Sequence, residues 1–217
     1  MALIVADHPL IKHKLSIIRN KETSVKKFRD LVNEVTLLLT YEATRNLPLQ
    51  EVEVATPLTT CKGETLKYAN VVIAPILRAG LGMVQGMMDL FPLASVAHIG
   101  MYRDEETFQP KTYYQSMPMD MENATIFVVD PMLATAGTMA AAVTLVKEAK
   151  PKRLIGLSLI AAPEGRDRME QEHPDVDVYC AALDEKLNDK AYIVPGLGDA
   201  GDRIFGSQKV ESGPPTG

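Results

Sequence analysis

The sequence predicts an α/β protein: a mostly parallel twisted sheet flanked by helices, with an N-terminal helical and β-hairpin element and a C-terminal glycine-rich segment. Three observations carry the α/β core. Short β-branched runs recur at residues 71–74, 95–100, 125–129, 154–160 and 176–180. Three of the four gaps between them carry helical stretches, at 81–90, 137–150 and 164–171. The runs are continuously apolar rather than alternating, as strands covered on both faces are. The composition of the 217 residues, 46% hydrophobic and 24% charged, is that of an ordinary globular chain.

Ahead of the core, residues 8–47 read as helix. Ser24 is a natural N-cap, and Val25, Phe28, Val32, Val35 and Leu39 follow as one apolar stripe. Pro48 stops it. Residues 51–60 then alternate, with Val52 and Val54 on one face, and Lys62-Gly63 supplies the turn of a hairpin that ends at 68. Residues 1–68 thus form a helix-and-hairpin element that packs on the core, and 69–207 form the core itself. The remaining gap, 103–123, holds Asp104-Glu-Glu106, Pro110, Tyr113-Tyr114 and Pro118 and reads as a loop or ribbon; loops of this length usually carry function. The segment 192–206 has four glycines in the eleven residues from Gly196, which lets main chain approach a ligand. Residues 208–217 read as a flexible tail.

Charge and cysteine usage narrow the function. With 23 basic against 28 acidic residues, the net charge of −5 disfavours a nucleic acid partner. The two cysteines, 119 positions apart, form no disulfide framework and no metal-ligand spacing, and are expected to be inert small hydrophobes. Four scattered histidines share no ligand spacing, so no metal ligands are assigned. The opening apolar run ends at Asp7, too short for a signal-peptide core, and 68–77 is about half of a membrane span. A cytoplasmic protein with no membrane partner is expected.

The chemistry concentrates at Val128-Val-Asp-Pro-Met-Leu-Ala-Thr-Ala-Gly-Thr138. A buried strand ends in an acid, a loop of small residues and threonines follows, and a helix begins near Met139. Free N–H groups and the positive helix end can hold an anion, with Thr135 and Thr138 adding hydroxyls and Gly137 admitting close approach. Asp130 sits where open α/β sheets bind ligands, and can accept hydrogen bonds from sugar hydroxyls. A capped helix after a buried strand reads the same spacing equally well.

This loop resembles the phosphoribosyl-diphosphate signature of the uracil phosphoribosyltransferases. The resemblance extends, in order and spacing, through Pro9-Leu-Ile-Lys-His-Lys14, Leu39-Thr-Tyr-Glu-Ala-Thr44 and Ala74-Pro-Ile-Leu-Arg-Ala-Gly-Leu-Gly-Met83. It continues through Gly100-Met-Tyr-Arg-Asp-Glu-Glu-Thr107 and Tyr192-Ile-Val-Pro-Gly-Leu-Gly-Asp-Ala-Gly-Asp-Arg203, the two most specific segments. One departure stands out. The family usually has Gly-Gly-Ser where this chain has Ala136-Gly137-Thr138, so Ala136 adds a methyl group where phosphate contact is expected.

The resemblance implies a type I phosphoribosyltransferase that joins uracil to 5-phosphoribosyl 1-diphosphate, giving UMP and diphosphate for pyrimidine salvage. It assigns the 5′-phosphate to the loop Ala134, Thr135, Ala136, Gly137 and Thr138, the ribose hydroxyls to Asp130, and substrate contact more generally to Pro131, Met132 and Leu133. It assigns the diphosphate to Arg78 and Arg103, the uracil edge to main-chain groups of Ile193, Gly198 and Ala200, and an acid near the diphosphate to Asp199. Asp199 also reads as a plain turn residue. The implied cofactor is Mg2+, held mainly by substrate diphosphate and water, and GTP is an implied activator. Residues 103–123 would be a flap over the site, with Tyr113 and Tyr114 under it or simply structural, and Met117, Met119 and Met121 as packing. Surplus apolar surface before residue 50 predicts a homo-oligomer, most simply a dimer. An RNA-binding regulator on the same fold is a second reading, disfavoured by the acidic balance, and an enzyme acting on another base is a third.

Overall fold

The computed structural model describes residues 3–103 and 110–207. The N-terminal part contains β1 (Leu3–Val5), α1 (Pro9–Arg19), α2 (Val25–Ala43), β2 (Leu49–Ala55) and β3 (Thr60–Leu66). Next come β4 (Val71–Leu77), α3 (Leu81–Met88), β5 (Ser95–Val96), β6 (His98–Arg103), β7 (Pro110–Ser116), β8 (Thr125–Val129) and β9 (Met132–Leu133). The chain finishes with α4 (Gly137–Lys147), β10 (Arg153–Ala161), α5 (Pro163–Glu172), β11 (Asp177–Leu183), β12 (Lys186–Leu187), β13 (Ile193–Val194) and α6 (Ala200–Phe205).

The main sheet runs β1-β11-β10-β8-β4-β6-β7, with β5 beside β4 and β9 beside β10. Only β7 is antiparallel, turning back on β6. The apolar strands have no polar face because both faces are covered. Ile73, Phe127 and Leu157 point to a core closed by Ile11, Phe28, Val35, Met87 and Ile204 from α1, α2, α3 and α6. Their strand neighbours Val72, Ile126 and Val128 point the other way, onto Met139 and Val143 of α4 and Met169 of α5.

Residues 8–47 are helical as expected, in two helices: Asn20 leaves α1 in extended conformation, and Ser24 caps α2 by accepting a hydrogen bond from the Lys27 N–H. The hairpin turns at 56–59, where the Thr56 hydroxyl accepts from the N–H groups of Leu58 and Thr59 at 3.2 and 3.0 Å. Lys62 and Gly63 lie inside β3 instead, opposite Glu53 and Val52. A β-carbon on Gly63 would stand 2.7 Å from a methyl of Val54, so this glycine makes room across the pair and does not turn the chain. The hairpin also stands away from the core: apart from Val52, Gly63 and Leu66 its residues are exposed, Cys61 among them. Cys180 is buried, and burial pushes its thiol up to about 12. Met119 is fully exposed, whereas Met121 is buried.

The segment 103–123 contains the antiparallel strand β7, so it is a ribbon where it is described; residues 104–109 of the expected flap lie outside the described residues, as does the expected tail 208–217. Tyr113 and Tyr114 are about half exposed, and the Tyr113 ring lies 6.3 Å from that of Tyr102.

Two arginines tie the two ends of the chain together. Arg19, closing α1, reaches Asp184 just beyond β11 through Nη1 to Oδ2 at 2.7 Å and Nη2 to Oδ1 at 2.5 Å. Arg19 also donates to the Gly196 carbonyl at 2.7 Å, while the Gly196 N–H donates to Asp184 at 2.9 Å. Arg203 of α6 donates to the carbonyls of Ile18, Leu197 and Asn20 and stacks 4.3 Å above the Phe28 ring. Asp184 is buried, so removing it strands a guanidinium. Asp184→Ala is expected to lower unfolding free energy by about 3 kcal/mol in urea titration, and an unchanged midpoint would refute the clasp.

Candidate active site

Parallel strands deliver their carboxyl ends to one sheet edge. The pairings Pro75↔Val129 and Leu77↔Gly100 place β8, β4 and β6 side by side, so Asp130, Arg78 and Arg103 leave adjacent strands at that edge. Arg78 directly follows β4 after a cis Leu77–Arg78 peptide. It is exposed and, among the described residues, makes no ion pair. Arg103 is the last residue of β6, opposite Pro110 of β7.

Beyond Asp130 the chain remains hydrogen-bonded to β10. The Asp130 N–H donates to Leu157 at 3.1 Å, and the Pro131 carbonyl accepts from Leu159 at 3.0 Å. Met132 and Leu133 pair with Ile160 and Ala161. The acid is thereby held still. Its Oδ1 accepts from the Met132 N–H at 3.2 Å, and the neighbouring Thr138 hydroxyl is a second donor that favours its ionised form. The residue keeps some surface, yet enough protein surrounds the carboxyl that burial pushes it up to about 6, against the opposing pull of those two donors.

Ala136 caps α4 at φ 56, ψ 10, in the left-handed region, without a side-chain cap. The first helical bond runs from Ala140 N–H to the Ala136 carbonyl at 2.8 Å. The N–H groups of residues 137–139 therefore have no partner in the preceding turn. Gly137 N–H makes only a long contact, 3.5 Å, with the Thr135 hydroxyl. The Ala136 methyl, expected to crowd the phosphate, is buried in the core cluster with Met139 and Ala140.

A cleft of about 190 Å³ joins this loop to the C-terminal segment, lined by Ala79, Met132, Ala134, Ile193, Gly198, Asp199 and Ala200, with Tyr192 at its side. Gly196 and Gly198 have φ of 66 and 80, which favours glycine, and a β-carbon on Gly196 would collide with the Ile193 carbonyl at 2.1 Å. Asp199 is exposed and caps α6, its Oδ1 accepting from the Asp202 N–H at 2.9 Å. Arg78's neighbour, the phosphate-type loop and the Gly-rich segment thus meet in one crevice. Sequence reasoning missed the residues that aim the Gly-rich segment: Arg19 reads as an ordinary last-turn cation, and Asp184 has no local signal at all. Arg203 lay inside a quoted motif without a role.

A left-handed alanine costs about 1–2 kcal/mol, whereas burying its methyl returns about 0.8 kcal/mol and alanine restrains the unfolded chain. Ala136→Gly is therefore expected to change stability by less than about 1 kcal/mol in urea titration. A large loss would mean the methyl is essential packing.

The family model described as uracil phosphoribosyltransferase matches residues 5–207. The uracil phosphoribosyltransferase of Symbiobacterium thermophilum is 54% identical over 206 residues, 95% of this chain and 99% of that protein. That of Streptococcus mutans is 53% identical over 204 residues, covering 94% and 98%. The solved AQ2163 protein of Aquifex aeolicus superposes with a TM-score of 0.90 at 38% identity, over 96% of this chain and all of that one. The adenine phosphoribosyl transferase of Trypanosoma brucei, solved with AMP, pyrophosphate and ribose-5-phosphate, shares the fold at a TM-score of 0.56 and 11% identity, over 83% and 82% of the two chains. The chain belongs to the uracil phosphoribosyltransferase family.

Proposed function

We propose that this enzyme joins uracil to 5-phosphoribosyl 1-diphosphate, giving UMP and diphosphate in pyrimidine salvage. The observation that carries the reading is the single crevice in which the loop after Asp130, the residue after Arg78 and the Gly-rich segment converge. A substrate charged at both ends needs an anion site on each side of its ribose. The N–H groups of residues 134–138 would hold the 5′-phosphate, and Arg78 with Arg103 the diphosphate. Asp130 would accept hydrogen bonds from the ribose hydroxyls and face the positive charge that develops at C1 as the diphosphate leaves. Main-chain groups of Ile193, Gly198 and Ala200 would read uracil, so cytosine would leave polar groups mispaired. Asp199 would add an acid near the leaving group, and the ribbon 103–123 would exclude water.

The donor set suits Mg2+ bound largely through substrate. Asp199 lines the cleft and Asp130 precedes the loop that enters it, both hard oxygen donors, and among the described residues no group of three His, Cys, Asp or Glu stands together. When bound, the ion would neutralise the leaving diphosphate. GTP activation is carried by the resemblance alone. Exposed Leu10, Tyr41, Leu49 and Val54 support a homodimer that covers them. Among the described residues no helix is long and apolar enough to cross a membrane. The free thiols of Cys61 and Cys180 support a reducing compartment, the cytoplasm.

The test is UMP formation from labelled uracil with phosphoribosyl diphosphate and magnesium, with cytosine, hypoxanthine and orotate as controls. Product with uracil alone among the bases is expected, and its loss in Asp130→Asn. UMP formation by Asp130→Asn at the native rate would remove the site assignment. Because the acceptor is the ionised carboxylate, kcat/KM for phosphoribosyl diphosphate should rise with pH through about 6. Stability should move oppositely. A folded-state value raised from 3.8 to about 6 helps folding fully below 3.8 and loses that help as pH rises through 6. Asp130→Asn should thus melt above the native protein at pH 8, with the gap closing toward pH 4; a constant gap would contradict the buried-carboxylate account.

A further inference from the structure

Helix α5 lies directly against the loop that follows Asp130. A β-carbon on Gly165 would stand 2.6 Å from the Leu133 carbonyl oxygen and 2.5 Å from that of Ala134, so the close approach requires glycine. One turn further along the same face stands Arg168. Its Nη1 is 3.1 Å from the point a β-carbon on Gly137 would occupy, and the Thr135 hydroxyl is 3.7 Å from that point. A guanidinium thus sits at the positive end of α4, where a cation is unfavourable unless an anion joins it. Among the described residues its ion pair is with Glu172, through Nε at 2.7 Å. That bond uses one of five N–H donors and leaves those on the two Nη nitrogens for another acceptor. Arg166, two residues earlier, is different: it pairs with the adjacent Asp167.

We infer that Arg168 is a further binding residue for the 5′-phosphate, supplying from α5 a guanidinium that the phosphate loop itself lacks. The inference rests on the phosphoribosyltransferase reading above and concerns one end of its substrate. The loop leaves the sheet beside β10, whereas Arg78 and Arg103 leave from β4 and β6, on the other side of β8. Arg168 therefore serves the monoester end and not the diphosphate.

Binding of UMP and of magnesium pyrophosphate, measured by calorimetry on Arg168→Ala and Glu172→Ala, separates the roles. Both variants break the same ion pair and leave a good helix former. Arg168→Ala should weaken UMP about tenfold, one charge-assisted contact, with pyrophosphate unaffected and Arg168→Lys recovering part of the loss. Glu172→Ala should bind UMP at least as tightly as the native protein. Equal weakening by both variants would make the pair structural and overturn the inference. So would unchanged UMP binding in Arg168→Ala, or an equal loss for pyrophosphate, which would mark a general field effect. If the native protein bound neither ligand, the phosphoribosyltransferase reading itself would fall, and this inference with it.

Discussion

A parallel sheet must be covered on both faces, and in this chain only one face is covered mainly by its own crossover helices. Helices α4 and α5 follow β9 and β10 directly and bury Val72, Ile126 and Val128. The opposite face has α3 from a crossover and otherwise depends on α1, α2 and α6, drawn from the two ends of the chain. Hydrophobic burial of Ile11, Phe28 and Val35 drives those helices onto the sheet, but burial is non-directional. Direction comes from Arg19 and Arg203. By binding Asp184, Gly196 and Leu197, they make the cover of one face and the placement of the Gly-rich segment a single event. The position of the Gly-rich side of the crevice is therefore a consequence of how the N-terminal helices dock.

The other side of the crevice is locally unfavourable in several ways. A carboxylate is surrounded by protein that raises its affinity for a proton, an alanine occupies a left-handed position, and a guanidinium stands at the wrong end of a helix dipole. Each is compensated differently. Asp130 has two donors, the Ala136 methyl is buried, and Arg168 has Glu172. Departures from local preference concentrate at functional sites because the surrounding fold overdetermines them. Here two of the three are charges, of opposite sign, at positions where a ribose bearing developing positive charge and a phosphate would each relieve them.

The parts of the fold that repeat in sequence were the legible ones. Continuous apolar runs and the helices between them identified β4, β8, β10 and β11 and the crossovers α3, α4 and α5, with ends displaced by a few residues; α4, for example, ends at Lys147 and not at 150. Short elements escaped. Leu3–Val5 becomes a strand only because β11 offers it a parallel edge, and α6 hides in a glycine-rich stretch, started by the Asp199 cap. Gly63 misled because a glycine needed for space looks the same in sequence as one needed for a turn. In the candidate site, the placement of Asp130, Arg78 and the loop at adjacent strand ends was legible because they lie in contiguous motifs. Asp184, Arg19 and Arg168 were not. Their roles depend on pairing across the fold, 165 residues in the case of Arg19 and Asp184, and nothing in a local window encodes it.

Rigidity on both sides of the loop after Asp130 means that, if an anion binds there as proposed, this short stretch is ready before its ligand arrives. On one side, β9 keeps the backbone hydrogen-bonded to β10 for two residues past Asp130 and Pro131, where a free loop would already have left the sheet. On the other, Gly165 lets α5 press against the Leu133 and Ala134 carbonyls, so the loop cannot fall back. The Ala136 methyl, anchored in the core, fixes the point at which α4 begins. Little conformational freedom remains to be lost when the N–H groups at the head of α4 meet an anion, and a group that need not reorganise stabilises developing charge best. The same confinement explains why α5 can contribute a side chain at all. Only a helix held within backbone contact of the loop can deliver a guanidinium to Gly137 with enough accuracy to discriminate one end of a doubly charged substrate from the other.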